Sequence, residues 1–263
     1  MTAPLIAINP LHEEDEPSLR LRTRYVEAVR RAGGLPIVLP TPLDDPASRD
    51  AELRALLARV DGVLLTGGDD FHAEPLGLGA THPAAQTTEG TKQAADLALA
   101  RLVLELDLPV LGICYGMQCL GLADGATLHQ DVPSDLPAAQ EHRGGAVHAV
   151  RPREGSKLAR VLGVEPLPVV SRHHQALRTV PPPWIVSAMD DEVSEGGGPA
   201  PVVEAIERSD RRFAVGVQWH PEIALPTEHA PRPDQGGTGA PGLEPGDALL
   251  RALVEAAAAG PRC

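Results

Sequence analysis

Residues 109–118 read PVLGICYGMQ: an apolar run from Pro109 to Ile113 meets Cys114, and Gly112 and Gly116 stand two residues to either side of it. A helix-compatible stretch follows. Small residues at those two positions permit a sharp strand-to-helix turn, because bulkier side chains there would collide. Such a turn leaves the sulfur exposed at the carboxyl end of a central strand, beside a helix N-terminus. Free N–H groups and the helix dipole at that end stabilise a thiolate. Read alone, the segment also fits a small buried cysteine at a strand end.

Working outward, the first two-fifths of the chain alternate strand and helix. Leu5–Ile8 is a short apolar strand ending at Asn9-Pro10, followed by an acidic loop from His12 to Glu16. Tyr25, Val26 and Val29 face one side of a helix and Arg24, Glu27 and Arg30 the other, and Gly33-Gly34 ends it. Leu35–Leu39 reads as a fully apolar strand, Ala51–Arg59 as a helix, Gly62–Leu65 as a strand, and Thr91–Leu106 as a long helix leading into Pro109. Short Val/Leu/Ile runs between helices are what a parallel sheet covered on both faces requires. Later runs near Ala146–Val150, Val169–Ser171, Ile185–Ala188, Val202–Glu207 and Phe213–Val217 are closely spaced and read as strands continuing the sheet, some antiparallel. The expected class is α/β, with a mostly parallel central sheet flanked by helices and a smaller antiparallel set in the second half. One domain is expected over 1–263, closed by a helix from Asp247 to Ala259. Glu192–Pro201 reads as a loop, and the Pro/Gly/Thr-rich stretch 226–246 as a mobile one.

Composition excludes several classes. With Lys+Arg 23 against Asp+Glu 36 the formal charge is −13, so there is no basic field to gather nucleic acid or an anionic membrane. Only two Trp, two Tyr and two Phe are present, so the core must be aliphatic. Three cysteines, Cys114, Cys119 and Cys263, make no disulfide framework. No secretory leader and no apolar stretch of roughly 18 residues is evident, and a reducing cytoplasm is the expected compartment.

A thiolate nucleophile needs a base and an orienter. In VGVQWHPE, Val215–Glu222, a strand ends just before His220, and Pro221 extends the chain so that His220 and Glu222 point the same way. Glu222 can then hold one imidazole tautomer while the other ring nitrogen faces Cys114. Upstream, DGVLLTGGDD (Asp61–Asp70) ends a strand in Gly67-Gly68, whose bare backbone N–H groups suit an oxyanion hole, with the N–H of Tyr115 as a further donor. Each of the two also has an ordinary reading, as a surface loop and as a turn.

Together, GICYGMQ, LLTGG and GVQWHPE resemble the nucleophile, oxyanion-strand and His-x-Glu motifs of class I glutamine amidotransferase domains. The resemblance is closer to their γ-glutamyl-γ-aminobutyrate hydrolase branch, through RYVEAVRRAGGLPIVLP (Arg24–Pro40), ATLHQD (Ala126–Asp131), EHR (Glu141–Arg143), SRHHQAL (Ser171–Leu177) and VVEAIE (Val202–Glu207). The chain departs from that branch in four places. Tyr115 stands where Arg is usual, Ser171-Arg172 replaces Asn-Ser, Gly125-Ala126-Thr127 replaces Gly-Gly-Thr, and a Gly/Pro insertion displaces the Asp-Gly before VVEAIE.

The resemblance implies hydrolysis of a γ-glutamyl amide through a glutamyl thioester on Cys114, with His220 and Glu222 completing the triad. It further implies that His173, His174 and Gln175 line the glutamyl pocket. Gln118, one turn after Cys114, is placed either to reach the glutamyl group or to pack its helix. No cofactor and no metal is expected: adjacent side chains on a strand point to opposite faces, so His173 and His174 do not chelate one ion together, and the remaining histidines show no coherent metal spacing. Arg143 and Arg172 are candidates for a substrate carboxylate, and Cys119 reads as a buried hydrophobe. The expected partner is a small γ-glutamyl substrate, with no nucleic acid and no membrane, and a homodimer left open. Two alternatives remain: a glutaminase component that passes ammonia to a synthetase partner, and a catalytically silent binding domain on the same fold.

Overall fold

The computed structural model describes residues 2–13, 18–40, 45–190, 201–226 and 245–260. In chain order the elements are β1 (Leu5–Ile8), β2 (Leu11–Glu13), β3 (Ser18–Arg20), α1 (Thr23–Arg31), β4 (Leu35–Val38), α2 (Pro46–Leu57), β5 (Gly62–Leu65), α3 (Gly90–Glu105), β6 (Val110–Ile113) and α4 (Tyr115–Ala123). After them come β7 (Thr127–His129), α5 (Val132–Asp135), β8 (Ala146–Pro152), α6 (Lys157–Leu162), β9 (Leu167–Ser171), β10 (Ala176–Thr179), β11 (Trp184–Asp190), β12 (Val203–Arg208), β13 (Ala214–Val217) and α7 (Pro245–Ala258).

One nine-stranded sheet has the order β4-β1-β5-β6-β13-β12-β11-β8-β9. From β4 to β13 all neighbours are parallel; from β13 to β9 all are antiparallel. The mixed sheet is therefore parallel where the first half of the chain builds it. The strand period of two sorts its side chains between two cores. Ile6, Ile8, Leu64, Leu111, Ile113, Val215 and Val217 meet α1, α6 and α7 on one face. Ala7, Val63, Leu65, Val110 and Ala214 meet α2, α3 and α4 on the other. Aliphatic strands with no polar face are the consequence of helices on both sides.

Three features differ from the sequence reading. The apolar strand β4 is the sheet edge, so Leu35, Ile37 and Val38 remain exposed, at 53%, 43% and 42%, despite their composition. The segment read as an acidic loop after Asn9 is partly an antiparallel ribbon, Leu11–Glu13 on Ser18–Arg20. A second small ribbon pairs β7 with β10. The loops expected at 192–201 and 226–246 lie almost wholly outside the described residues. Among the described residues, no helix is long and apolar enough to cross a membrane.

Candidate active site

The parallel strands carry their carboxyl ends to one edge, where loops from β1, β5, β6 and β13 converge. Cys114 ends β6 with φ 53 and ψ −110, a strained conformation for a residue with a Cβ. Its flanking glycines make that turn possible. A Cβ on Gly112 would lie 2.6 Å from the Gly116 carbonyl oxygen, and one on Gly116 only 2.3 Å from the Leu65 carbonyl oxygen. The N–H of Cys114 donates to Val217 O (2.8 Å), tying the elbow to β13, and its carbonyl accepts the N–H of Gln118 (3.1 Å) as α4 begins. Tyr115, the first residue of α4, has no backbone acceptor for its N–H among the described residues, as a helix start dictates.

His220 follows β13 and is anchored by its N–H to Val170 O (2.9 Å). Its Nδ1 faces Glu222 Oε1 at 2.9 Å, and its ring lines the same cleft as Cys114. Burial pulls the imidazole pKa down, but the thiol and the Glu222 carboxylate outweigh it and raise the pKa to about 10. Cys114, His220 and Glu222, expected together from the sequence, do meet at one point. Gly67 lies at the centre: a Cβ there would come within 2.9 Å of His220 Cε1 and 3.6 Å of Cys114 Cβ. One on Gly68 would lie 3.1 Å from the Tyr115 ring. That crowding is a reason for glycine at both positions, apart from any donor role.

The expected donor role of Gly67 needs correction. Its N–H points to the Tyr25 hydroxyl at 3.0 Å and is already satisfied in this state. Gly68 has no such partner among the described residues. Tyr25 was read only as an apolar helix position. It is buried on α1 beside Glu222, and burial followed by that charge raises its phenol pKa well above 10, so it stays neutral. The clue in the sequence was a phenol on a buried helix face in a chain with two tyrosines.

Gln118 takes the second of its two expected places, packed in the interior, and the HHQ side chains also lie off the cleft. Gln118 is buried, donating to Gln175 O (3.0 Å) and to Gln218 Oε1 (3.1 Å), while Gln218 Nε2 reaches Cys114 Sγ (3.5 Å). Gln218, inside the quoted motif but not singled out, thus reaches the sulfur directly. Gln175 accepts from Phe71 N (3.1 Å) and donates to Gln130 O (3.3 Å). His174 bridges Asp70 (2.7 Å) and Asp131 (3.0 Å); the bond to Asp70 leads in raising its pKa. His173 joins a buried cluster with His142, His148 and Glu204. None of these four side chains lines the cleft over Cys114. Each is consumed by packing or hydrogen bonds behind the site.

The cleft is lined by Arg20, Arg22, Arg24 and Arg172, with Asp69 and Glu222 as its acidic members. In a chain of formal charge −13 the mouth of the site is locally cationic. Arg172 is one of the departures from the branch pattern noted above. Arg143, the other arginine considered, is held by Glu141 at 2.8 Å and does not line the cleft. The Tyr115 ring stacks on Phe71 (centroids 4.4 Å apart, 11° between planes) in the core, so that departure is a packing feature.

A family model described as peptidase C26 matches residues 4–222. A Mycobacterium tuberculosis protein provisionally named a glutamine amidotransferase is 36% identical over 215 residues, covering 80% of this chain and 65% of that protein. The chain therefore spans just under two thirds of that relative's length. The gamma-glutamyl-gamma-aminobutyrate hydrolase of Escherichia coli K12 is 32% identical over 213 residues, covering 77% of this chain and 78% of the relative. The glutaminase domain of Trypanosoma brucei CTPS, solved with acivicin bound, superposes with a TM-score of 0.62 at 17% identity over 99% of this chain and 96% of that one. That likeness concerns the fold alone.

Proposed function

Given that the chain belongs to the peptidase C26 family, which is class I glutamine amidotransferase-like, we propose that it hydrolyses a γ-glutamyl amide whose leaving amine carries a carboxylate, γ-glutamyl-γ-aminobutyrate being one such substrate. The observation that carries the chemistry is a cysteine on a strained elbow, sharing the cleft around Gly67 with a histidine that Glu222 holds at 2.9 Å. Cys114, its proton passed to His220, attacks the γ-carbonyl carbon as the thiolate, and the N–H groups of Gly68 and Tyr115 receive the oxyanion. Tyr25 orients Gly67 beneath it. His220 gives its proton to the nitrogen as the C–N bond breaks, leaving a glutamyl thioester on Cys114. The neutral imidazole then takes a proton from water, whose oxygen displaces the thiolate and releases glutamate.

The arginines at the cleft favour an anionic substrate, because they counter the field of an acidic protein where the leaving group departs. A hydrogen bond to a charged group is worth about 1.5–3 kcal/mol, roughly 10- to 150-fold in binding. Glutamate release by the isolated chain, measured on γ-glutamyl-γ-aminobutyrate, glutamine and a neutral γ-glutamyl alkylamide, tests the reading. The carboxylate-bearing amide is expected to turn over best, Arg172→Ala to narrow that preference about tenfold, and Cys114→Ala to abolish turnover with the fold intact. Activity that appears only when a synthetase partner is added would overturn this reading in favour of the glutaminase component. Unchanged turnover in Cys114→Ala would overturn the mechanism.

A further inference from the structure

Behind β12, away from the cleft, three side chains from distant parts of the chain meet in the dry interior: His142 from the loop before β8, His173 from the segment after β9, and Glu204 of β12. His142 and His173 are nearly inaccessible and Glu204 wholly so. Both carboxylate oxygens of Glu204 and the Nε2 atoms of both histidines lack a hydrogen-bond partner. The imidazoles of His142, His173 and His148 face Glu204 Oε1 from 3.4, 3.6 and 3.9 Å, close enough to pair with its charge and too far for good hydrogen bonds.

The tautomers point to what is missing. His142 Nδ1 lies 2.8 Å from Gln140 O, and His173 Nδ1 lies 3.1 Å from Gln175 O. A carbonyl can only accept, so both Nδ1 atoms carry protons and both Nε2 atoms turn toward Glu204. Backbone carbonyls that hold a histidine in this way are the usual outer support of metal-ligating imidazoles. The spacing agrees. His142 Nε2 and His173 Nε2 lie 3.4 and 3.6 Å from Glu204 Oε1, beyond the roughly 2.7–2.9 Å of a charge-assisted hydrogen bond. Bonds of about 2.0–2.1 Å to a tetrahedral ion would place its ligand atoms about 3.3–3.5 Å apart. All three ligand atoms lie within 4.8 Å of one another, so one ion fits after a slight approach of the two imidazoles.

We propose that His142, His173 and Glu204 form a structural site for one divalent transition-metal ion of the zinc type. Two imidazoles and a carboxylate suit zinc better than magnesium or calcium, which favour all-oxygen shells. Asp190, its Oδ2 3.9 Å from His142 Nε2, supplies further negative charge on the same side. His148 is a supporting neighbour, because its Nε2 is engaged with Ser171 Oγ at 2.7 Å. The ion would clamp β12 to the segment that carries Arg172 to the cleft. It would also steady the Glu204 carbonyl, which accepts the N–H of Gln218 beside the nucleophile at 2.8 Å. The three residues lie 31 or more apart in sequence (142, 173 and 204), a spacing no local motif reveals.

The test uses full-length Cys114→Ala, so that a thiolate–imidazole site at the catalytic centre cannot bind the probe. After chelator treatment, the protein is titrated with Zn²⁺ while Tm is followed, and with Co²⁺ while its visible absorption is followed. One equivalent is expected to bind, with tetrahedral Co²⁺ bands free of thiolate charge transfer. At hundredfold excess over Kd, Zn²⁺ is expected to raise Tm on the order of 5–10 °C. Glu204→Gln and His173→Ala should weaken binding by more than the roughly 10- to 100-fold that changes around a metal site cost. No stoichiometric binding by the parental chain overturns the proposal, whether or not the variants fold. So does binding that survives both substitutions.

Discussion

Glu222→Gln isolates the second of the two groups, after Cys114, that hold His220 protonated against its burial. Gln is nearly isosteric with Glu and still accepts from His220 Nδ1 across the 2.9 Å contact, so geometry is kept while the anion is lost. A hydrogen bond to a charged group contributes about 1.5–3 kcal/mol and a neutral one about 0.5–1.5. The difference, about 1–1.5 kcal/mol, is roughly one pKa unit. His220 stands at about 10, raised from 6.5, so in the resting enzyme it is protonated below that pH and can serve as the acid for the departing amine. Above it the proton, and with it turnover, is lost. Because the folded-state value is raised, the stability contributed by the protonated group is complete below about pH 6.5 and lost as pH climbs to about 10. In Glu222→Gln the alkaline limb of kcat/KM should move down by about one unit, toward pH 9. The assay is glutamate release from about pH 6 to about pH 11, with circular dichroism at each pH to confirm the fold. A limb that stays in place or moves upward would refute the argument that Glu222 sets the charge of His220.

Two further substitutions test the scaffold. Gly116→Ala drives a Cβ to 2.3 Å from the Leu65 carbonyl oxygen, backbone against backbone, so β5 or α4 must shift. A loss of about 1–3 kcal/mol, read as a Tm lower by roughly 3–10 °C, is expected together with reduced turnover, and an unchanged Tm would contradict the elbow geometry. Lys92→Met leaves Asp96, wholly buried and paired with Lys92, with an uncompensated charge and, among the described residues, the 3.3 Å bond from Asn9. Denaturant unfolding should show a loss of about 3–5 kcal/mol, most of it recovered in the double variant Lys92→Met/Asp96→Asn. No recovery would mean that lost packing, not the stranded charge, carries the cost.

What the chain discloses by itself is whatever short-range geometry dictates. The elbow is legible because Gly112, Cys114 and Gly116 collide or fit within a few residues of one another, whatever the rest of the fold does. His220 and Glu222 are legible because an extended segment turns residues two apart to the same side. The parallel half of the sheet is legible because strands covered on both faces must be apolar throughout. Sheet order and long-range contact decided the rest. Tyr25 reaches Gly67 only because α1 packs over β1 and β4, and that contact occupies an N–H which looked free in the sequence. His173, His174 and Gln175 lie behind the site because the segment between β9 and β10, strands of different sheets, buries His173 and Gln175 and ties His174 to Asp70 and Asp131, while only Arg172 of this segment reaches the cleft. Arg20, Arg22 and Arg24 meet Arg172 at one cleft, and His142 and His173 meet Glu204 in the core. The physical reason is the same in each case: side chains from segments far apart in the chain become neighbours through strand order and register, which no local pattern of residues encodes.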